Sequence, residues 1–134
     1  MKVIKVFAMM LCIASLGLAS SCSKDKDKDL IVGNWRIVDG TSYYTDSEGE
    51  QHDNGVDVGV GIGYAEDGDY FVAGSLRGKW ERVNDETVRI QRTGSIEWKE
   101  EKILSLTEEF LKISYVSVSG GGTTYNVTEI LKRQ

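Results

Sequence analysis

The residues that this sequence lacks restrict its function more than those it has. Its 134 residues include no proline, which is unusual for a chain of globular composition, and only two cysteines and one histidine. Both cysteines, Cys12 and Cys22, precede the strand-rich part of the chain. That part can therefore contain neither a disulfide framework nor a cysteine-based metal site.

The single histidine, His52, limits the catalytic sites that the chain could form. A Ser-His-Asp arrangement would need it, yet no Gly-x-Ser-x-Gly motif supplies a nucleophile. The glycines at 59–63 are not followed by Lys-Ser or Lys-Thr, so no phosphate-binding loop is indicated. We predict that the protein is not an enzyme and has no cofactor; a cluster of buried, converging carboxylates would reopen that question.

The polar loop around His52 carries several oxygen ligands without matching a known calcium loop. Asp46, Glu48 and Glu50 alternate as calcium ligands can, but glycine stands at position 49, where the EF-hand template does not place it. The sequence favours a solvated loop, and no metal site is predicted.

Basic residues are outnumbered by acidic ones. Residues 1–21 contain Lys2 and Lys5 and no acid, so the remaining chain carries 14 basic against 21 acidic residues, a net charge of −7. An acidic domain of this kind is poorly suited to binding nucleic acid or an anionic membrane face. We expect no nucleic-acid partner.

The apolar run at the start of the chain is too short for a typical membrane span. It covers about thirteen mostly apolar residues, Val6 to Leu18, whereas a bilayer requires about 20. Lys2 and Lys5 precede it and the small residues Ala19, Ser20 and Ser21 follow it. This layout is typical of a secretory signal peptide over residues 1–21, with a transmembrane anchor as the alternative.

The residues that follow the apolar run resemble the lipobox of bacterial lipoproteins. In Leu18-Ala19-Ser20-Ser21-Cys22 the leucine stands one place further from the cysteine than is usual. The resemblance implies cleavage before Cys22 and attachment to its sulfur, through a thioether, of a lipid that carries fatty acids such as palmitate, which would anchor the protein to a membrane. Alternatively, an ordinary signal peptidase could cut after Ser21 and leave Cys22 with a free thiol.

A charged segment, Ser23 to Asp29, separates Cys22 from the strand-rich region. It alternates Lys and Asp without an apolar residue, so residues 22–29 are predicted to be a solvated tether reaching roughly 25 Å. It also resembles the signal that exports some Gram-negative lipoproteins to the cell surface, although lysines interrupt its acids. We expect an outer-membrane lipoprotein of the cell envelope, facing either the periplasm or the exterior.

Residues 30–134 have the pattern of an all-β domain. Turn-forming residues, including the Asp67-Gly68 pair, separate short stretches with alternating or β-rich composition. Eight such stretches indicate an antiparallel sandwich or barrel: Trp35 to Val38, Val56 to Tyr64, Asp69 to Ser75, Lys79 to Val83, Thr87 to Arg92, Ser95 to Leu106, Leu111 to Val118 and Thr124 to Leu131.

Two stretches allow more than one interpretation. In Val56 to Tyr64 apolar residues alternate with Asp57 and three glycines, and the glycine face would admit either a bulky neighbouring side chain or a ligand. Ser105 to Leu111 could begin a short helix through a Ser105 and Glu108 capping box, but the alternation of Leu111, Ile113 and Tyr115 favours a turn between strands.

The motif Gly33-Asn34-Trp35 at the first strand resembles the Gly-x-Trp motif of lipocalins, and the whole pattern is similar to small lipocalin-like lipoproteins of Gram-negative bacteria. The resemblance implies an eight-stranded antiparallel up-and-down barrel, with Trp35 closing one end. It also implies an arginine stacked on that indole through a cation–π contact, and Arg133 is the matching position. A related sequence, Gly78-Lys79-Trp80, occurs at a later strand.

An eight-stranded barrel encloses a lumen that side chains fill or that holds one small ligand. We therefore expect a small apolar ligand or lipid in the barrel, and five aromatic residues are predicted to line its site: Tyr64, Tyr70, Trp80, Trp98 and Tyr115. The alternative is a plugged barrel that binds a protein of the envelope, as an inhibitor or accessory subunit, through the loop with Tyr43 and Tyr44. An open cavity favours the first function and a filled barrel the second.

Overall fold

A computed structural model describes residues 29–134. The predicted signal peptide (1–21), the acylation site Cys22 and the tether up to Lys28 lie outside the described residues. Asp29, the last residue assigned to the tether, contacts the domain: its carboxylate pairs with Arg82 and accepts the Ile31 N–H at 3.0 Å. Among residues 29–134 no helix has the length and apolar character to cross a membrane.

Strands account for most of the described chain. Nine are found within residues 29–134: β1 Gly33–Thr45, β2 Gln51–Asp53, β3 Gly61–Tyr64, β4 Asp69–Val72, β5 Ser75–Asn84, β6 Thr87–Arg92, β7 Trp98–Leu106, β8 Phe110–Val118 and β9 Thr124–Arg133. Residues 107–109 form a turn between β7 and β8, and Thr107 N–H donates to the Phe110 carbonyl across it. The turn favoured by the sequence is therefore formed.

Eight of these strands close into a barrel. Each pairs antiparallel with its neighbour in the order β9-β8-β7-β6-β5-β4-β3-β1, and β9 returns to pair with β1 from Arg133 opposite Trp35 to Asn126 opposite Tyr43. The short β2 extends the sheet beside the end of β1. The predicted eight-stranded antiparallel up-and-down barrel is confirmed.

The predicted strand Val56 to Tyr64 is shorter than expected. Only Gly61–Tyr64 is extended, because the preceding residues turn twice and bond to β1 instead. Ile37 N–H donates to the Val60 carbonyl at 2.9 Å, and Gly59 N–H donates to the Ile37 carbonyl at 2.7 Å. The alternation of valines in this segment therefore does not reflect a continuous strand, and Val58 is exposed.

The stretch Asp69 to Ser75 contains a hairpin turn that the sequence did not indicate. Val72 pairs with Ser75, and the two residues between them both have positive φ, 54° for Ala73 and 82° for Gly74. This is the conformation of a two-residue turn whose first position usually holds Asn, Asp or Gly. Alanine there carries no such signal, so the sequence predicts β4 and the start of β5 as one strand.

One end of the barrel is filled by a core around Trp35. Its indole is fully buried and donates from Nε1 to the Ile31 carbonyl at 2.8 Å. The guanidinium of Arg133 lies 4.2 Å from the centroid of the Trp35 ring and donates to the carbonyls of Leu30 and Val32. Arg133 thus fixes residues 30–32, which lead into β1, and this segment closes that end of the barrel.

Gly33 and Gly78, which precede Trp35 and Trp80 by two residues, stand where an added side chain would meet a neighbouring group. A Cβ at Gly33, whose φ is +142°, would lie 2.5 Å from Nη1 of Arg133, and one at Gly78 would lie 2.0 Å from the Gln91 carbonyl. Each glycine lets a neighbouring group approach the strand beside an indole. The two similar sequence motifs therefore have similar structural roles.

Candidate ligand-binding cavity

The part of the barrel away from Trp35 contains a cavity of about 460 Å³. That volume lies within the usual range for small-molecule sites, roughly 300 to 1,000 Å³. Aliphatic side chains surround it: strand alternation turns Ile37, Ile62, Val72 and Ile90 inward, and Val60 comes from the segment before β3. The barrel is therefore not plugged along its whole length.

Two carboxylates enter this largely apolar space. Glu101 on β7 and Glu129 on β9 are 9% and 8% exposed, although Glu is rarely buried without a charged partner. Each faces inward because it shares strand parity with buried aliphatic residues, Ile103 on β7 and Leu131 on β9. Both line the cavity, so the strands bring together two acids that are 28 residues apart in the sequence.

Tyrosine hydroxyls hold both carboxylates. Tyr64 donates to Oε1 of Glu101 at 3.1 Å, and Tyr115 donates to Oε2 of Glu129 at 2.9 Å. Burial raises the pKa of all three inward tyrosines, Tyr64, Tyr70 and Tyr115, and the neighbouring carboxylates raise it further. These phenols consequently remain neutral donors at physiological pH.

Burial also raises the pKa of both acids. It brings the pKa of Glu101 to about 7, against the lowering effect of the Tyr64 hydrogen bond, with Glu129 contributing further repulsion. The pKa of Glu129 is raised as well, chiefly by burial, while its bond from Tyr115 acts in the opposite direction. A proton can therefore be gained or lost in this cavity near neutral pH.

The basic residues near the cavity do not neutralise these acids directly. Arg92 and Lys99 line the same space, and the Arg92 guanidinium lies 6.0 Å from the Tyr70 ring centroid. Of the ion pairs found in the described part of the chain, none includes Glu101 or Glu129. Within residues 29–134 the two buried carboxylates thus have tyrosine partners and no paired cation.

The structure separates the five aromatic residues that the sequence assigned to the ligand site. Tyr70 and Tyr115 line the cavity, and Tyr64 lies beside it with its hydroxyl on Glu101. Trp80 packs edge-on against Tyr64 in the core and donates from Nε1 to the Ala65 carbonyl at 2.8 Å. Trp80 is therefore a core residue with its polar group already satisfied.

Trp98 lies on the outer wall of the barrel. It has opposite strand parity to the inward Glu101, and the Arg89 guanidinium stacks on it with Cζ 4.6 Å from the ring centroid. Tryptophan is large and apolar, which suggested an interior position, but the cation–π contact with Arg89 covers it instead. Trp98 consequently does not belong among the cavity residues.

Sequence reasoning missed the residues that give the cavity its polarity, Glu101, Glu129 and Arg92. A signal was present for Glu129, which stands in the row of Tyr125, Val127, Leu131 and Arg133, all of one parity. An acid within such an apolar row indicates either a bulge or a buried charge. Alternation in β7 is weaker, because Lys99 to Lys102 are all charged, and it does not single out Glu101.

The loop around His52 forms a second cluster, in which Asp46, Glu50 and His52 place ligand atoms within 4.8 Å of one another. Asp46 is already used to hold the loop, since its carboxylate accepts the backbone N–H groups of Glu48 and Glu50 at 2.9 Å and contacts His52 Nε2 at 2.9 Å. The imidazole also stacks on Tyr44. These contacts account for the cluster as a structural turn.

Comparison with known proteins found no matching family model and no matching curated protein. Solved structures of bovine odorant-binding protein are similar to this chain. A complex with a selenium-containing odorant has 18% identity and a TM-score of 0.49, covering 85% of this chain and 78% of that chain. A deswapped triple mutant has 18% identity and a TM-score of 0.43, covering 79% and 75%. A complex with undecanal has 17% identity and a TM-score of 0.36, covering 78% and 71%.

Proposed function

We propose that this protein is a lipid-anchored envelope protein whose barrel binds a small organic molecule. The observation that carries the proposal is the cavity of about 460 Å³, which combines aliphatic walls with a few converging polar groups. That combination is typical of sites for small ligands, because apolar contact supplies affinity and polar groups fix orientation. Cys22 would hold the barrel at the membrane through its acyl chains.

The alternative, a protein-interaction module, has less support from the loop aromatics. Tyr43 is 37% exposed, but Tyr44 packs on His52 and lies 5.3 Å from the Tyr125 ring, so its surface is largely used within the chain. The loop therefore offers one accessible tyrosine instead of an adjacent pair.

Native mass spectrometry of the protein purified gently from its host tests the ligand-binding function. We expect a co-purifying small molecule at near one-to-one ratio in the wild type. A Val72→Trp substitution, which places an indole inside the cavity, should reduce that mass, whereas Val38→Trp on the exposed outer wall should retain it. A wild type without bound mass, and without a shift on adding lipids or other small molecules, would count against the proposal.

A further inference from the structure

The buried acids Glu101 and Glu129 restrict the chemistry of the ligand. A carboxylate removed from water costs several kcal/mol unless hydrogen bonds or a counter-charge compensate for it. Each of these two accepts one tyrosine hydroxyl, and in the described part of the chain the second oxygen of each has no hydrogen-bond donor from the protein. An apolar molecule would leave those oxygens unsatisfied and would displace any water from them.

The charge of the cavity wall also favours a cation. Three acidic side chains face it, Asp57, Glu101 and Glu129, against two basic ones, Arg92 and Lys99. Tyr70 and Tyr115 present aromatic surface to the same space, and such rings attract an ammonium group within about 6 Å of their centroids. A charged donor would therefore meet both carboxylates and aromatic rings.

We propose that the ligand is a small organic amine, whose ammonium group binds between Glu101 and Glu129 while its apolar body packs on Ile37, Ile62, Val72 and Ile90. This inference rests on the proposed ligand-binding function and specifies its ligand class. A divalent metal ion fits the same residues less well, because calcium requires six to eight oxygens. In addition, within residues 29–134 neither Glu101 nor Glu129 belongs to a cluster of three potential metal ligands.

Binding of an ammonium group is coupled to a proton. When Glu101 is protonated, the amine displaces that proton, which passes to the solvent, and the ammonium takes its place as the positive partner. The charged and titratable groups around Glu101 include Tyr64, Tyr70, Arg92, Lys99, Tyr115, Glu129 and Asp57. Since burial raises the pKa of Glu101 to about 7, affinity for an amine should fall as the pH drops below neutrality.

Isothermal titration calorimetry of the full chain with three probes that share one apolar body tests the inference. The probes are phenethylamine, phenethyl alcohol and hydrocinnamate, which are cationic, neutral and anionic. We expect phenethylamine to bind at least about tenfold more tightly than either of the others near pH 8, since charge-assisted hydrogen bonds are the stronger ones. Titration in buffers of different ionisation enthalpy near pH 7 should show proton release.

Variants connect this selectivity to the two acids. Glu101→Gln and Glu129→Gln, which preserve shape, should each weaken phenethylamine by about tenfold and leave phenethyl alcohol nearly unchanged. Glu66→Gln, in an exposed turn, is the control and should bind like the wild type. The folded state of each variant is checked by near-ultraviolet circular dichroism.

Each other outcome would overturn the amine inference, and the outcomes differ in what they leave of the ligand-binding function. Equal or tighter binding of phenethyl alcohol would overturn the amine inference and leave the ligand-binding function intact. Binding of calcium chloride alone, lost in Glu101→Gln, would replace the amine by a metal. If none of the three organic probes bound, the amine inference would fail and the proposed function would be weakened with it.

Discussion

At the scale of single residues, the interior of this barrel depends on which strand positions alternate inward. Glu129 occupies a position that the pattern of β9 assigns to the core, and Glu101 occupies the corresponding position of β7. Tyr115 and Tyr64 provide the hydroxyls that make these positions tolerable. The two buried carboxylates therefore depend on strand alternation for their position and on two tyrosine hydroxyls for their hydrogen bonds.

The buried acid Glu101 should make the protein less stable as the pH rises. Its pKa is raised from 4.5 to about 7 in the folded state, so the folded chain binds this proton more tightly than the unfolded chain does. The contribution to the free energy of unfolding is fully present below about pH 4.5 and is lost through pH 7, a change of roughly 3 kcal/mol. Urea unfolding at about pH 5 and pH 8 should show this decrease.

Glu101→Gln should remove most of that decrease and should be more stable than the wild type at about pH 8, because the amide keeps the bond from Tyr64 without a charge. The charge-matched Glu66→Gln should retain the wild-type profile. If the free energy of unfolding fell by the same amount between about pH 5 and pH 8 in all three proteins, Glu101 would not be the titrating group. Hydrogen bonds lower the pKa values of Asp29 and Asp53. These two groups therefore make the folded protein more stable as the pH rises, and they do so at lower pH than Glu101.

At the scale of elements, the hairpin between β4 and β5 carries local strain that a substitution can relieve. Ala73 is the one residue other than glycine with positive φ in the described chain. Alanine pays an energetic cost there, roughly 1 kcal/mol, which asparagine largely avoids. Ala73→Asn creates the Asn-Gly pair preferred in such turns and should raise the free energy of unfolding by about 0.5 to 1 kcal/mol.

Chemical denaturation measures this change. If the free energy of unfolding depends on denaturant concentration with the same slope in both proteins, the substitution has changed stability alone. Gly74→Ala is the opposing control, because it places a Cβ at φ 82° and should destabilise the protein, although the added atom meets nothing within 4 Å. A destabilised Ala73→Asn variant would contradict this account of the turn.

The elements also show where sequence reasoning reaches its limit. Strand count and the closing turns were predictable, since alternation and Asp-Gly or Asn-Asp signals mark them locally. The hairpin at Ala73 and the turns before β3 were not, because their conformation is fixed by tertiary hydrogen bonds such as that between Ile37 and Val60. The acids of the cavity were missed because a single sequence does not show which charged residue of an alternating strand is turned inward.

At the scale of the whole molecule, the barrel has one filled and one hollow part, and this division determines what each can do. Arg133 and Trp35 join the entering segment to the last strand, so the filled part stabilises the closure of β1 on β9. Because the filled part supplies this stability, the hollow part can contain the two buried acids Glu101 and Glu129. A barrel of this kind on a short tether would present its cavity close to a membrane without being embedded in it.

The predicted attachment of the barrel to a membrane can be tested directly at Cys22. Expressed in a Gram-negative host with labelled palmitate, the wild type should incorporate label, and its amino-terminal peptide should have the mass of an acylated cysteine. Cys22→Ser should lose the label entirely, because the thioether requires the thiol. Cys12→Ser, which changes the other cysteine within the predicted signal peptide, should be labelled like the wild type.

An unlabelled wild type whose mature chain begins with an unmodified Cys22 would instead establish cleavage by an ordinary signal peptidase after Ser21. The barrel would then act as a free carrier and not from a fixed position on the membrane.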